Sequence, residues 1–170
     1  MFLRRELPDD SAAIFALHDA AFARPGVAVT AEAALVDRLR SDGDILPGLS
    51  IVVETSQNVV GHVVCSRASI DGQTCIGLGP LGVHPAHQRR GFGHALMHAV
   101  LAAADALDAP AVALLGDPRY YARFGFEPAE SLGVSPPQPE WGAHFQVRRL
   151  TAWSPSLSGR FRYAAAFDPL

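Results

Sequence analysis

The 170-residue chain contains no lysine; all 14 of its basic side chains are arginine. A P-loop and Schiff-base chemistry both require a lysine amine, so both are excluded. Cysteine is scarce as well, at two residues, Cys65 and Cys75. If Asp71 and Gly72 form a two-residue hairpin turn, Cys75 falls opposite Ala68 and Cys65 opposite Leu78. The thiols are then offset and read as small buried apolar side chains. No stretch of 18 uninterrupted apolar residues occurs, and residues 1–6 lack the order of a secretion signal. The expectation is a soluble, cytoplasmic protein with no membrane partner. A formal charge of −3 and a pI near 6.1 argue against nucleic acid as a partner. Apolar residues are plentiful at 49%, enough for one well-cored domain over residues 1–170 and too few for two.

Periodicity and punctuation divide the chain. Pro8, Asp9, Asp10 and Ser11 start a helix whose inner face carries Ile14, Leu17, His18, Ala21 and Phe22. Arg24, Pro25 and Gly26 break it, and Thr30 caps a second helix over residues 31–40 with Leu35, Val36 and Leu39 inward. A connector with Pro47 and Gly48 leads to a β-branched strand at residues 49–54. Turns at Ser56, Gln57 and Asn58 and at Asp71 and Gly72 then give two more antiparallel strands, the last ending at Pro85. Residues 111–116 are continuously apolar, as a buried parallel strand would be, and residues 119–124 form a short helix closing at Gly125. Residues 135–139 read as a surface loop, and residues 144–150 and 160–163 as strands.

The most informative stretch runs from the central strand into the long helix. From Phe92 on, Leu96, Val100, Leu101 and Leu107 fall on one helical face. Between strand and helix stand Arg89, Arg90, Gly91 and Gly93. Glycines there let the backbone turn and leave its N–H groups uncovered at a positive helix end, which suits a phosphate. The arginines add charged donors. The reading is a strand–loop–helix pyrophosphate cradle. Gly77, Gly79 and Gly82 also match G-x-G-x-x-G, but no helix opens there, so a dinucleotide fold is rejected.

His84, His87, His94 and His98 cluster, with His94 and His98 on one helix face, yet no carboxylate or cysteine stands at ligand spacing, and no metal is expected. Trp141, Phe145 and Trp153 could line a pocket, although aromatics after a proline loop are more often core or interface. The apolar residues 164–167 invite an edge strand or an interface, as in a homodimer.

Gln88-Arg89-Arg90-Gly91-Phe92-Gly93, followed by helix, strand and Tyr121-Ala122-Arg123-Phe124-Gly125-Phe126, resembles the GCN5-related N-acetyltransferases (GNAT). The first segment matches their Q/R-x-x-G-x-G/A signature and the second their Tyr-x-x-φ-Gly-Phe segment; residues 116–126 are similar to a bacterial branch of predicted small acetyltransferases. The resemblance covers a core of about residues 49–126, with residues 127–170 completing the sheet and the acceptor side. It implies an α/β (α+β) fold with a mixed, mostly antiparallel central sheet and helices on both faces. It also implies acetyl transfer from acetyl-CoA, without a metal, to an amine of a small-molecule or peptide acceptor by direct attack. Leu81, Gly82 and Val83 would line the pantetheine arm, and the Val83 N–H would also stabilise the oxyanion. Backbone groups of Gln88, Arg89, Arg90, Gly91, Phe92, Gly93 and His94 would hold the pyrophosphate, and Tyr121 would protonate the departing thiolate. Two departures stand out. Gly116 and Asp117 replace a frequent asparagine, and residues 74–84 contain no acid to act as base. Glu54, His84 or a water chain are the candidates for that role. The alternative is a non-catalytic acyl-CoA-binding module on the same fold.

Overall fold

The computed structural model describes residues 1–56 and 58–168. The strands are β1 (Phe2–Arg5), β2 (Ile45–Thr55), β3 (Asn58–Ile70), β4 (Gln73–Val83), β5 (Ala111–Leu115), β6 (Glu127–Pro128), β7 (Val134–Ser135), β8 (Phe145–Arg149) and β9 (Gly159–Tyr163). The helices are α1 (Ser11–Ala21), α2 (Ala31–Ser41), α3 (Phe92–Ala106) and α4 (Pro118–Tyr121). The sheet runs β1-β2-β3-β4-β5-β8-β6, with β9 beside β3 and β7. All pairings are antiparallel except β4–β5 and β7–β9.

Local chemistry explains much of this. Asp71 (φ 44°) and Gly72 (φ 81°) both have positive φ, the signature of a type I′ hairpin, and Ile70 pairs with Gln73 across it. Cys75 therefore faces Ala68 and Cys65 faces Leu78, both thiols buried and free. The Thr30 hydroxyl accepts the Ala33 N–H and starts α2. Gln57 of the second expected turn lies outside the described residues; Thr55 and Asn58 on either side of it are paired.

Strand alternation sorts the core between two faces. Ile51, Val53, Val63 and Cys65 pack under α3 with Leu96, Met97 and Val100. Val52 and Val64, between them, face Ile14 of α1 and Val36 of α2. Four points differ from expectation. Strand β1 was not anticipated; only its pairing with β2, not periodicity, makes residues 2–5 extended. Strand β2 begins at Ile45, absorbing Pro47 and Gly48 in a register break between Ile45 and Ser50. Leu107 follows α3 and is 62% exposed, so Met97 and Ala104 complete the inner face in its place. Residues 164–167 form neither an edge strand nor a bare patch. Ala166 packs on Leu35 and Leu39 of α2, and Phe167 stacks on Tyr163 at 4.2 Å.

Candidate active site

Strands β4 and β5 are held together at only two positions, Ile76 opposite Val112 and Gly77 opposite Ala113. Beyond Gly77, β4 has a register break against β3 between Leu81 and Leu78, spanning Gly79 and Pro80, and the two parallel strands part. The His84 N–H donates to Val60 O at 2.9 Å. Backbone groups alternate along a strand, so those of Leu81 and Val83 point the other way, into the gap. The Val83 carbonyl accepts from the Gln88 side-chain amide at 3.1 Å.

At the end of β4 the chain turns through Pro85–His87 and reaches α3. Arg89 (φ 61°) and Gly91 (φ 83°) both take left-handed conformations, and no atom lies within 4 Å of a Cβ placed on Gly91. Conformation, not crowding, demands glycine there. At Gly93 the reason is space, because a Cβ would sit 3.0 Å from the Tyr120 hydroxyl. The N–H groups of Phe92, Gly93 and His94 open α3 and have no partner within the helix. The His94 ring turns sideways onto Phe124 and His98, its Nε2 2.9 Å from His98 Nε2, which leaves only its backbone at the start of α3. Among the described residues no three histidine, cysteine or acidic side chains converge as a metal site.

The gap opens into a cavity of about 810 Å³. Leu81 lines it, whereas Gly82, Val83 and residues 88–94 lie outside its lining. Tyr121 also lines it, with its ring packed on Gly116, a position where a Cβ would collide with that ring. Burial, and then Tyr120, push the Tyr121 phenol up to about 12, so it keeps its proton at neutral pH. Its neighbour Tyr120 points instead toward Gly93, with Arg123 5.2 Å over its ring.

Several residues on the cavity wall were not anticipated. Phe22 closes α1, Glu32 and Leu35 belong to α2, and Arg160, Arg162 and Tyr163 come from β9. Tyr163 occupies the space that a Cβ on Gly77 would need, and burial raises its phenol further than that of Tyr121. An aromatic–arginine alternation at residues 160–163 was the one available signal, and periodicity alone did not connect it to β4. Trp141 lines the cavity, whereas Phe145 is fully buried and Trp153 packs against the same core.

Glu54 is not brought to the gap. It sits on β2, two strands from β4, where its carboxylate accepts from Arg4 Nε at 2.7 Å. Arg4 also grips Asp10 at 2.6 Å, so Glu54 belongs to an ion-pair cluster on the β1 edge. Asp117, in the asparagine's place, caps α4 through the Arg119 N–H, and the Arg119 side chain holds its carboxyl below the usual range. His84 accepts from the Ala86 N–H at the strand end.

Residues 47–128 match the model of the acetyltransferase (GNAT) domain. The uncharacterized N-acetyltransferase YhbS of Escherichia coli K12 is 34% identical over 152 residues, covering 88% of this chain and 87% of that protein. A second E. coli protein, the uncharacterized N-acetyltransferase YjhQ, is 33% identical over 78% of each chain. Among solved structures, E. coli YhbS in complex with CoA superposes with a TM-score of 0.89 at 31% identity, covering 98% of this chain and 91% of that one. A GNAT family acetyltransferase from Brucella melitensis in complex with acetyl-CoA gives a TM-score of 0.81 at 34% identity, with 98% and 97% covered. The chain belongs to the GNAT family of N-acetyltransferases.

Proposed function

We propose that the protein transfers the acetyl group of acetyl-CoA to an amine by direct attack, with Tyr121 as the acid. The observation that carries this reading is the gap between β4 and β5. It runs from the N–H groups at the start of α3, past the Leu81 backbone and the Val83 N–H, to a cavity lined by a half-buried, protonated phenol. The solved relatives hold CoA and acetyl-CoA, and the cradle fits the pyrophosphate of such a ligand. Residues Gln88, Arg89, Arg90, Gly91, Phe92, Gly93 and His94 supply its donors, the arginines adding charge. The Val83 carbonyl already takes an amide N–H from Gln88, the same kind of donor that a pantetheine amide presents. The Val83 N–H faces the gap as an oxyanion donor.

A neutral amine of a small molecule or peptide enters from the side of Phe22, Glu32 and Trp141 and bonds to the acetyl carbon as the C–S bond breaks. Tyr121 gives the departing sulfur its proton; a phenol held near 12 still carries that proton at pH 7. Calorimetric titration should show micromolar binding of acetyl-CoA and CoA and none of NADH. Tyr121→Phe should lower kcat about 10²-fold, a typical contribution of one acid, with acetyl-CoA affinity unchanged, whereas Tyr120→Phe should keep its turnover. Equal turnover in Tyr121→Phe refutes the acid role. Binding without turnover of any amine favours a non-catalytic acyl-CoA module.

A further inference from the structure

A chain of buried polar groups runs beneath the acyl-binding strand and has no part in the chemistry above. Glu6, in the segment between β1 and α1, accepts from Arg40 of α2 at 2.6 Å and from the Ser50 hydroxyl of β2. Ser50 Oγ lies 2.9 Å from His62 Nε2 on β3, and His62 Nδ1 lies 2.8 Å from His18 Nε2 on α1. His18 and His62 are both fully buried, and His18 Nδ1 has no partner. That nitrogen lies 2.7 Å from where a Cβ of Gly82 would stand, next to Leu81 on the acyl-binding strand. The His18 ring is stacked 6.0 Å from Phe22, a side chain that lines the cavity.

The direction of every bond follows from the charge on Glu6. Burial alone would raise the Glu6 carboxyl, but His62 Nε2 3.5 Å away and hydrogen bonds from Ser50 and Arg40 outweigh it and hold the carboxyl down at about 2. An ionised carboxylate only accepts, so Ser50 donates to it and must accept the His62 Nε2–H. His62 Nδ1 is then a bare acceptor and takes the His18 Nε2–H. What remains is a lone pair on His18 Nδ1, aimed at β4. An unsatisfied buried acceptor is unfavourable, which makes its retention informative.

We propose that Glu6, Ser50, His62 and His18 form a proton relay that takes the acceptor amine's proton at the acyl site. His18 is its catalytic member and the other three act through it; the proposal rests on the acetyl-transfer reading above. With the Phe22 ring turned aside, the attacking nitrogen gives its proton to His18 Nδ1, directly or through one water. His18 passes its Nε2 proton to His62 Nδ1, His62 its Nε2 proton to Ser50 Oγ, and Ser50 its proton to Glu6. One proton enters, one reaches the carboxylate, and neither ring becomes charged. Burial explains why the transfer is concerted: it presses both imidazoles toward the neutral form, His18 to about 2. Glu6, held so low, does not keep the proton. It returns by the same path, resets both tautomers and re-forms the Tyr121 phenol once that group has protonated the sulfur. The sum is one proton moved from nitrogen to sulfur, with all protein groups restored.

Two measurements test this. Two-bond ¹H–¹⁵N correlation of ¹⁵N-histidine-labelled protein should show His18 and His62 both carrying their proton on Nε2, and both neutral at pH 7 and at pH 5.5. Asp10 and Glu6 before α1, Arg40 on α2 and His62 on β3 are the charged and titratable groups acting on this network. A proton on His18 Nδ1 overturns the relay with no acceptor needed. In the second, benzylamine, tyramine and glycylglycine serve as acceptors, and thiol release is followed against pH. Ser50→Ala should lower kcat about 10²-fold near neutrality, less at high pH where solvent base substitutes, and leave acetyl-CoA affinity unchanged. Ser50→Thr keeps the hydroxyl and should recover most of the rate. A Ser50→Ala enzyme within threefold of the parent, or one losing affinity and rate together at every pH, overturns the relay. Absence of acetyl-CoA binding instead removes the acetyl-transfer reading itself.

Discussion

Acid should unfold this protein from a higher pH than its carboxylates alone would allow. His18 has no exposed surface, and burial, with His62 and Arg40 nearby, lowers its pKa from 6.5 to about 2. The unfolded chain therefore binds a proton below pH 6.5 that the folded chain refuses. The stability associated with this ring is complete above that pH and is lost steadily as pH falls toward 2. Between pH 7.5 and 5.5 the loss from His18 alone is about 1.4 kcal/mol, from the proton affinity of a free imidazole. His62, lowered chiefly by its own burial, acts in the same direction. Glu6 does not confuse the measurement. Its depressed carboxyl contributes fully above about pH 4.5, and that contribution disappears only between there and about 2. For a chain of this length, 1.4 kcal/mol corresponds to about 3–6 °C in Tm, a lower bound when His62 is included. The assay is urea unfolding followed by fluorescence of Trp141 and Trp153 at pH 7.5, 6.5 and 5.5. His18→Asn should show a shallower pH slope, whatever its starting stability. A midpoint unchanged from pH 7.5 to 5.5 would refute the claim that these rings are buried and neutral.

Two further outcomes follow from packing. Gly82→Ala places a methyl group 2.7 Å from His18 Nδ1 and 3.2 Å from Leu17 Cδ2, so it should cost about 1–3 kcal/mol and weaken acetyl-CoA binding by shifting Leu81 and Val83. Urea unfolding and calorimetry on the same sample check both effects. Leu96→Ala removes a fully buried side chain between α3 and the sheet and should cost about 2–5 kcal/mol, whereas Leu107→Ala, on the exposed side, should stay within about 0.5 kcal/mol. Thermal melts of the two variants decide it.

Much of the architecture was legible along the chain because its causes are local. Asp71 and Gly72 can both take positive φ, which selects a two-residue turn, and the turn sets the opposition of Cys75 to Ala68 and Cys65 to Leu78. The hydroxyl of Thr30 marks the start of α2, and Gly91 marks the left-handed residue before α3. The turn from β4 into α3 was readable for the same reason: a few neighbouring residues dictate the geometry of its consecutive backbone groups.

What the linear pattern did not contain is which distant side chains meet. Strand β1 exists only because β2 offers it an edge, and that pairing draws Arg4 onto Glu54 and keeps the carboxylate away from the gap. Tyr163 reaches the gap because Gly77 leaves room for its ring. His18 and His62, 44 residues apart, become hydrogen-bonded only where α1 crosses the face of β3. Periodicity assigned His18 to an inward face, and an inward histidine by itself does not reveal its partner. Backbone geometry and alternation act over a few residues, whereas the order of strands in the sheet and the packing of helices across it decide every contact on which the proposed proton path depends.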